Sequence, residues 1–524
     1  MAMKASGLTK EQLANLSKEE LVSRILDLQA DLNNSQEEVA ILKQKLFGRK
    51  TEKNIRTDDQ QLSIFNEAEA VADEGPVEEP KLETVTYTRK KTVGKRDMDL
   101  KDLPAEIIMH EMNEEELKAT FGHENYVRLP DDVYRKLEVI PAQYKVLEHH
   151  LAVYKCNKNG KIVKTPHPKE MLNNSIATPS LVAGIMNAKY TNAMPLYRLE
   201  KEMEQMGLHI SRQNMAHWVI QCADTLLYPV YMKLKELLCR QNVLQADETT
   251  VDVSKDGRPA GSKSYMWVYR TSELLPERPI ILYDYRMTRN STNPEEFLEG
   301  FCGTLMCDGF SGYKSLSNRN PDIEIANCFA HARRPFADVV KSVASPKMRN
   351  GMTANTALEM IKKIYEEERK LKDLSSEERL ECRRRDVKPL VEAYFAWARE
   401  NISKVMSGSA VGKGLAYSLE RETELKQFLE NGDIPIDNSA SERSIRPFTI
   451  ARKNFVMIDT LHGAQSSAIV FSLVETAKAN NLNIYEYLKH LLAEVPKHLD
   501  GKDTDFLNDL LPWSESIQKR FKLH

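Results

Sequence analysis

The chain has 524 residues, which excludes a single compact core and points to three or more structural units. A net charge of −3 and a pI near 6.5 exclude a global polycation, so any affinity for DNA must come from local basic patches. There is no run of about 18 apolar residues to cross a membrane, no signal-peptide core in MAMKASGLTKEQ, and no CxxC pair among the seven cysteines. The expectation is a cytoplasmic protein with reduced thiols and no membrane partner.

Residues 9–47 read as one helix. Ser17 and Glu20 make a capping box. Leu21, Ile25, Leu28, Leu32, Ser35, Val39, Leu42 and Leu46 then recur at alternating four- and three-residue steps, a heptad seam broken only by Ser35. The seam is narrow and its flanks are charged or polar, which favours a self-associating coiled coil over a helix packed on its own domain. Residues 48–85 read as a linker that turns acidic from Glu67 and contains Pro76 and Pro80. A basic cluster follows at once: Arg89, Lys90, Lys91, Lys95 and Arg96.

Residues 86–168 are expected to form a small β-rich unit with a turn at Asn157-Lys158-Asn159-Gly160. Residues 169–240 are helical in character. There LYRLEKEMEQMG and ISRQNMAHWVIQ are joined across Gly207-Leu208-His209, and Ser211 is a fair N-cap. Helix, short glycine turn and capped helix is the layout of a helix-turn-helix. In it Arg212, Gln213 and Asn214 lie on the first turn of the second helix, where side chains reach a DNA groove. An ordinary helical hairpin has the same spacing.

Residues 241–330 switch to strands: VLQAD, SYMWVYRT, PIILYDY, GTLMCD and IEIANC, with the helix EEFLEGF between the third and fourth. Three strands in hairpin order, a helix, a fourth strand, then a fifth strand and helix is the order of an RNase H-like core. In such a core Asp247 and Asp308 end side by side. Residues 331–430 read as a charged helical insert. Residues 431–480 complete the core with Glu442 on a helix leading into FTIARKNFVM, and 481–524 form a helical tail.

Three carboxylates from two strand ends and a late helix suit phosphodiester chemistry. Two Mg²⁺ ions about 4 Å apart activate a nucleophile and neutralise a leaving oxyanion. Such ions prefer carboxylate oxygens and keep water. Asp247 would bridge both ions, Asp308 would hold one and Glu442 the other; Mn²⁺ is a plausible substitute. Each residue also has an ordinary explanation. Asp247 is a strand-end carboxylate with Glu248, Asp252 and Asp284 as neighbours of the same kind. Asp308 precedes Gly309 and suits a turn. Ser439-Ala440-Ser441-Glu442 reads as a capping box. What lifts them together is their order and the surrounding cations. Arg443, Arg446, Arg452 and Lys453 follow Glu442, and His331, Arg333 and Arg334 open the helix after the fifth strand, all suited to a polyanion.

These stretches resemble the large transposase of insertion-sequence-66-type elements, a DDE transposase. The matching segments are LFGRKTEK, LVAGIMNAKYTNAMPLYRLEKEMEQMGLHISRQNMAHWV, ADET, CDGFSGY, CFAHARRPF, DNSASERSIRPFTIARKNF and SLVETAKANNLNIYEYLKHLL. The resemblance implies that Asp247, Asp308 and Glu442 are the catalytic triad, and that transposon ends and target DNA are the partners. Accessory proteins of the same element are possible further partners. A nuclease that cuts without joining, and a DNA-binding regulator with an idle centre, are the alternatives. Members of the family usually carry a four-cysteine zinc unit. Here only Cys156 stands in a ligand position, Asn159 replaces its partner, and His123, His149 and His150 are poor substitutes, so no structural zinc is expected.

Overall fold

A computed structural model of the chain describes residues 168–524 (apart from 260, 276, 344–348, 350, 500, 502, 503 and 524). It also describes 143–155, 157 and 162–166, and the single positions 17, 18, 21, 35, 39, 117 and 119. Most of the heptad seam, the acidic linker, the basic cluster, His123 and Cys156 lie outside the described residues. Of the seam, Leu21, Ser35 and Val39 are helical, and the Leu21 amide donates to the Ser17 carbonyl at 3.0 Å.

Residues 65–167 form a unit of their own. Its described part is an antiparallel pair, β1 (Val153–Lys155) and β2 (Ile162–Lys164), on either side of the expected turn.

Residues 168–524 begin with helices. Thr178 caps α1 (Pro179–Met186), with Pro179 at the first helical position, where its missing N–H costs nothing. Then come α2 (Leu196–Gln205) and α3 (Arg212–Cys222). Between them Gly207 takes φ +80°, a left-handed conformation that glycine tolerates without strain. The Ser211 hydroxyl accepts from the Asn214 amide at 3.2 Å, the cap read from the sequence. Helix α4 (Tyr228–Cys239) leads into the sheet.

The sheet has the order β5-β4-β3-β6-β7, where β3 is Val243–Lys255, β4 Lys263–Thr271, β5 Ile281–Arg286, β6 Gly303–Cys307 and β7 Ile323–Asn327. The first three are antiparallel hairpin partners; β6 and β7 join in parallel, through α5 (Thr292–Phe297) and α6 (Ser311–Arg319). Trp267, Tyr269 and Tyr283 are fully buried, and Tyr269 stacks on Phe297 with centroids 4.0 Å apart. Rings of this size dominate a core's burial energy.

After β7 comes α7 (Phe329–Ser342), then the insert helices α8 (Thr353–Lys370), α9 (Ser376–Cys382), α10 (Lys388–Asn401) and α11 (Ala410–Glu420). The insert has its own apolar cluster around Phe329, Tyr394, Phe395 and Phe428. Within it Arg383, fully buried, donates to Glu368 at 2.8 Å and to the carbonyls of Phe428 and Asn431. A buried charge is tolerable only with such partners.

The chain returns to the sheet through α12 (Ser439–Phe455), β8 (Ile458–Thr460) and α13 (Leu461–Ala479), followed by α14 (Ile484–Glu494). Strand β8 pairs with the far end of β3. Helix α13 is buried along nearly its whole length. It covers the exposed edge of β5: Thr476 Oγ1 accepts from the Ile281 amide at 3.0 Å, and Ser472 Oγ from the Tyr283 amide at 2.7 Å. An edge strand left bare would invite pairing with another chain. No described helix is long and apolar enough to cross a membrane.

Candidate active site

Register brings the two aspartates together. Gln245 on β3 lies opposite Met306 on β6; Asp247 sits two residues further along β3, and Asp308 two residues further on, just past the end of β6. Asp308 then turns out of the strand. Its Oδ1 accepts from the Phe310 amide at 2.9 Å, and its carbonyl accepts from Asn327 Nδ2 at 3.1 Å. The turn explanation for this residue therefore holds for one carboxylate oxygen. The other lies 3.9 Å from Arg289 Nη2. A Cβ at Gly309 would come within 2.7 Å of Arg421 Nε and 2.8 Å of the Tyr417 ring, so these insert side chains pack directly against the glycine.

Glu442 reaches the same place on α12, which is fastened to the sheet turn by turn. Asn438 Nδ2 donates to the Ala246 carbonyl at 2.7 Å, and Gln245 Nε2 donates to Asn438 Oδ1 at 3.3 Å. Arg270 Nη1 donates to the Ala440 carbonyl and to Ser444 Oγ at 3.1 and 3.0 Å. The Tyr283 hydroxyl donates to the Ser444 carbonyl, and Arg452 to the Thr250 carbonyl.

The capping box expected at Ser439-Ala440-Ser441-Glu442 does not form. Asn438 is the N-cap and makes no side-chain cap, because its amide is spent on β3 and on Gln245. Ser439 is thus already the first helical residue. Glu442 stands one position past the capping site and owes nothing to capping.

The carboxylates are close enough to influence one another as like charges. Burial pushes the Asp247 carboxyl well above the usual carboxylate range, and Glu248, Asp308 and Glu442 push it further. Glu248 is pushed up to about 7, chiefly by burial and then by Asp308. That glutamate, a mere neighbour of the same kind in the sequence, is part of the site. Its side chain is 2% exposed. It accepts from Arg289 Nε at 2.8 Å and from the Tyr313 hydroxyl at 2.7 Å, and the Arg289 guanidinium lies 3.9 Å over the Phe310 ring.

His331, expected among the cations, is held below the usual histidine range by burial and by Arg334. Its Nε2 is 3.9 Å from Glu442 Oε1, and its buried Nδ1 finds no hydrogen-bond partner among the described residues. Arg334 Nη2 approaches the same Glu442 oxygen at 3.4 Å, while Arg333 is exposed. The other cations divide. Arg443 pairs with Glu273 at 2.7 Å, Arg452 turns inward onto β3, Arg446 is half-buried and Lys453 is exposed. Arg452 is therefore first a strut between α12 and β3. Arg212, Gln213 and Asn214 are all exposed on the first turn of α3.

Among the described residues, no group of three or more His, Cys, Asp or Glu side chains is close enough to grip one ion unaided. The oxygens that converge are hard carboxylate donors that repel one another, which suits a divalent cation completed by water and substrate oxygens.

Two relatives are the Uncharacterized protein y4hP and the Uncharacterized protein y4jD, both of Sinorhizobium fredii. The first is 27% identical over 489 residues, covering 90% of this chain and 87% of the relative. The second is 28% identical over 399 residues, covering 74% and 76%. Residues 35–108 match a model described as Transposase C of IS166 homeodomain, which runs across the boundaries expected at 47 and 85. The sequence signals inside that region are LFGRKTEK and the basic cluster at Arg89–Arg96. Residues 472–513 match the IS66 C-terminal element. Residues 174–466, more than half of the chain, match the Transposase IS66 family, and the chain belongs to that family, which implies DNA transposition.

Proposed function

We propose that the chain is a metal-dependent DDE transposase that cuts the ends of its element and joins them to target DNA. Its catalytic carboxylates are Asp247, Asp308 and Glu442, carried on an RNase H-like core interrupted by the insert. One observation supports this reading most: strand register sets Asp247 on β3 beside Asp308 just past β6, and the Asn438–Ala246 bond ties the start of the Glu442 helix to the residue before Asp247. When bound, a pair of Mg²⁺ or Mn²⁺ ions would stabilise the attacking and leaving oxygens of an in-line displacement.

The chain's own residues do the rest. Asn438 and Arg270 fix the height of Glu442 against Asp247. Arg289 and Tyr313 hold Glu248 so that it does not swing toward the substrate. His331 sets its ring beside Glu442, Nε2 3.9 Å from the carboxylate oxygen. Arg333 and Arg334 offer charge to the DNA backbone, and Arg212, Gln213 and Asn214 present donors to a groove. Self-association through residues 9–47 would place two such centres on two ends.

The test is Mg²⁺-dependent cleavage and joining of the element's terminal repeats by Asp247→Asn, Asp308→Asn and Glu442→Gln. Each variant should fold, bind ends and be inactive. Since Glu442 caps nothing, its replacement should leave stability nearly unchanged. Near-normal joining by the Glu442→Gln protein would overturn its assignment. Cutting without joining by the unaltered chain would favour the nuclease alternative.

A further inference from the structure

The insert sends one side-chain pair back to the sheet. Tyr417 on α11 and Arg421, four residues on, both lie against the turn that follows Asp308. A Cβ on Gly309 would stand 3.0 Å from Tyr417 Oη, and Arg421 Nη2 donates to the Gly309 carbonyl at 3.2 Å. The Arg421 guanidinium lies 4.4 Å from the Tyr417 ring centroid, so the phenol packs on the arginine as well as on the glycine. Gly414, three residues earlier, lets α11 close on α7, where a Cβ would meet the Phe336 ring at 2.8 Å. A second strap lies just beyond: Lys314 on α6 donates to Glu424 of the insert at 3.3 Å.

Within this clamp the Tyr417 hydroxyl stands out. It is shielded from solvent and has no hydrogen-bond partner among the described residues. Buried hydroxyls are normally paired, and one left alone weakens the fold. Burial pushes the phenol well up, and Cys328, Asp308 and Cys307 push it further, so it stays neutral and is a poor direct ligand for a cation. Beside it, Asp308 spends Oδ1 on the Phe310 amide, while Oδ2 has only Arg289 Nη2 at 3.9 Å. A partner that arrives with a cation would satisfy the hydroxyl. Magnesium keeps several of its waters, such waters are strong donors, and a phenol oxygen accepts from them.

We propose that the insert completes the cation site at Asp308: the Tyr417 hydroxyl anchors a water of the ion's hydration shell, and Arg421 holds the Gly309 turn in shape. The proposal rests on the transposase reading above, which puts a cation at Asp308. Tyr417 is a positioning residue, since it acts through a water and touches no reacting atom. Partners behind a metal's own ligands set its affinity as well as its geometry. The insert then does more than interrupt the core, because its docking onto the sheet and the binding of the ion favour each other.

The experiment titrates the full-length chain, free of DNA, with Mn²⁺ and reads the unbound ion by electron paramagnetic resonance. Tyr417→Phe keeps the ring against Gly309 and Arg421 and removes only the hydroxyl. It should weaken Mn²⁺ binding several-fold, while the melting point without metal stays the same or rises slightly, because the lost oxygen had no partner. Arg421→Ala frees the Gly309 carbonyl and should weaken binding in the same direction. Asp308→Asn should remove that binding, and adding Tyr417→Phe to it should change nothing more. With element ends present, Tyr417→Phe should raise the Mg²⁺ concentration for half-maximal cleavage several-fold and leave the saturated rate within about twofold. Unchanged Mn²⁺ binding by Tyr417→Phe, or a loss that persists in the Asp308→Asn background, would overturn the Tyr417 assignment and leave the transposase reading standing. Mn²⁺ binding indifferent to Asp308→Asn in the otherwise unaltered chain would bring down both.

Discussion

The Asn438 side-chain amide donates to the Ala246 carbonyl at 2.7 Å, joining the start of the Glu442 helix to the strand residue just before Asp247. Asn438 is 1% exposed, so nothing else is at hand to replace the bond. Removing one partner of a buried hydrogen bond costs about 1–3 kcal/mol. Asn438→Ala should lose stability by that amount in a denaturant titration. It should lose Mg²⁺-dependent cleavage far more steeply, with end binding retained. Cleavage that falls only in proportion to the folded fraction would reduce Asn438 to a structural tie.

The raised carboxyls predict a pH dependence with a definite sign. An acid whose carboxyl is raised on folding holds its proton more tightly in the native state. The stability it lends is complete below its unfolded value and is lost as pH rises through the folded one. For Glu248 that window runs from its ordinary 4.5 to about 7, and for Asp247 it opens at its ordinary 3.8 and reaches well above it. Without metal, Asp247→Asn should lie closest to the unaltered chain below about pH 4 and melt progressively higher than it as pH rises toward 8. The gain should be a few degrees, since about 1 kcal/mol moves Tm by about 2–4 °C in domains of 150–250 residues. Mg²⁺ should raise the melting point of the unaltered chain at pH 8 and leave the variant largely unmoved. Equal melting points at both pH values would mean that the acids do not repel as the geometry requires.

Exposure of the first turn of α3 makes a separable prediction. Arg212→Ala, Gln213→Ala and Asn214→Ala should weaken binding to the element's ends more than to random DNA, and binding should fall steeply with salt. The Arg212 amide donates to Glu200 at 3.0 Å and would still do so after truncation; the guanidinium over the Tyr197 ring, 5.7 Å from its centroid, would be lost while α3 stays capped by Ser211. Equal losses on both DNAs would make these residues phosphate contacts.

Much of the sheet was legible because apolar runs ending in an acid, VLQAD and GTLMCD, can be buried in only one way beside each other. Three things were not legible, and each depends on partners distant in sequence. The capping box at Ser439 fails because the Asn438 amide bonds to a strand 192 residues earlier. Arg452 reads as a DNA cation but turns inward, since β3 runs on past Asp247 and pairs with β8. Glu248 reads only as another carboxylate beside Asp247; the fold brings Arg289 and Tyr313 to it from elements more than 40 residues away. The coiled-coil and zinc readings concern residues largely outside those described.

Tyr313 offers the finest test of that hidden face. Its hydroxyl is buried and donates to Glu248 Oε2 at 2.7 Å, one of the bonds that hold the carboxyl down to about 7 against its burial. Tyr313→Phe keeps the ring against Trp267 and Phe310, so packing is preserved. What is lost is a donor to a buried carboxylate, about 1–3 kcal/mol when Glu248 is charged and less when it holds its own proton. The variant should therefore be clearly less stable than the unaltered chain near pH 8 and closer to it near pH 5. Because Arg289 is shared between Glu248 and Asp308, cleavage should also fall as the arginine is drawn toward the less satisfied glutamate. The same stability loss at both pH values, with cleavage unchanged, would mean that Tyr313 serves the core through its ring alone.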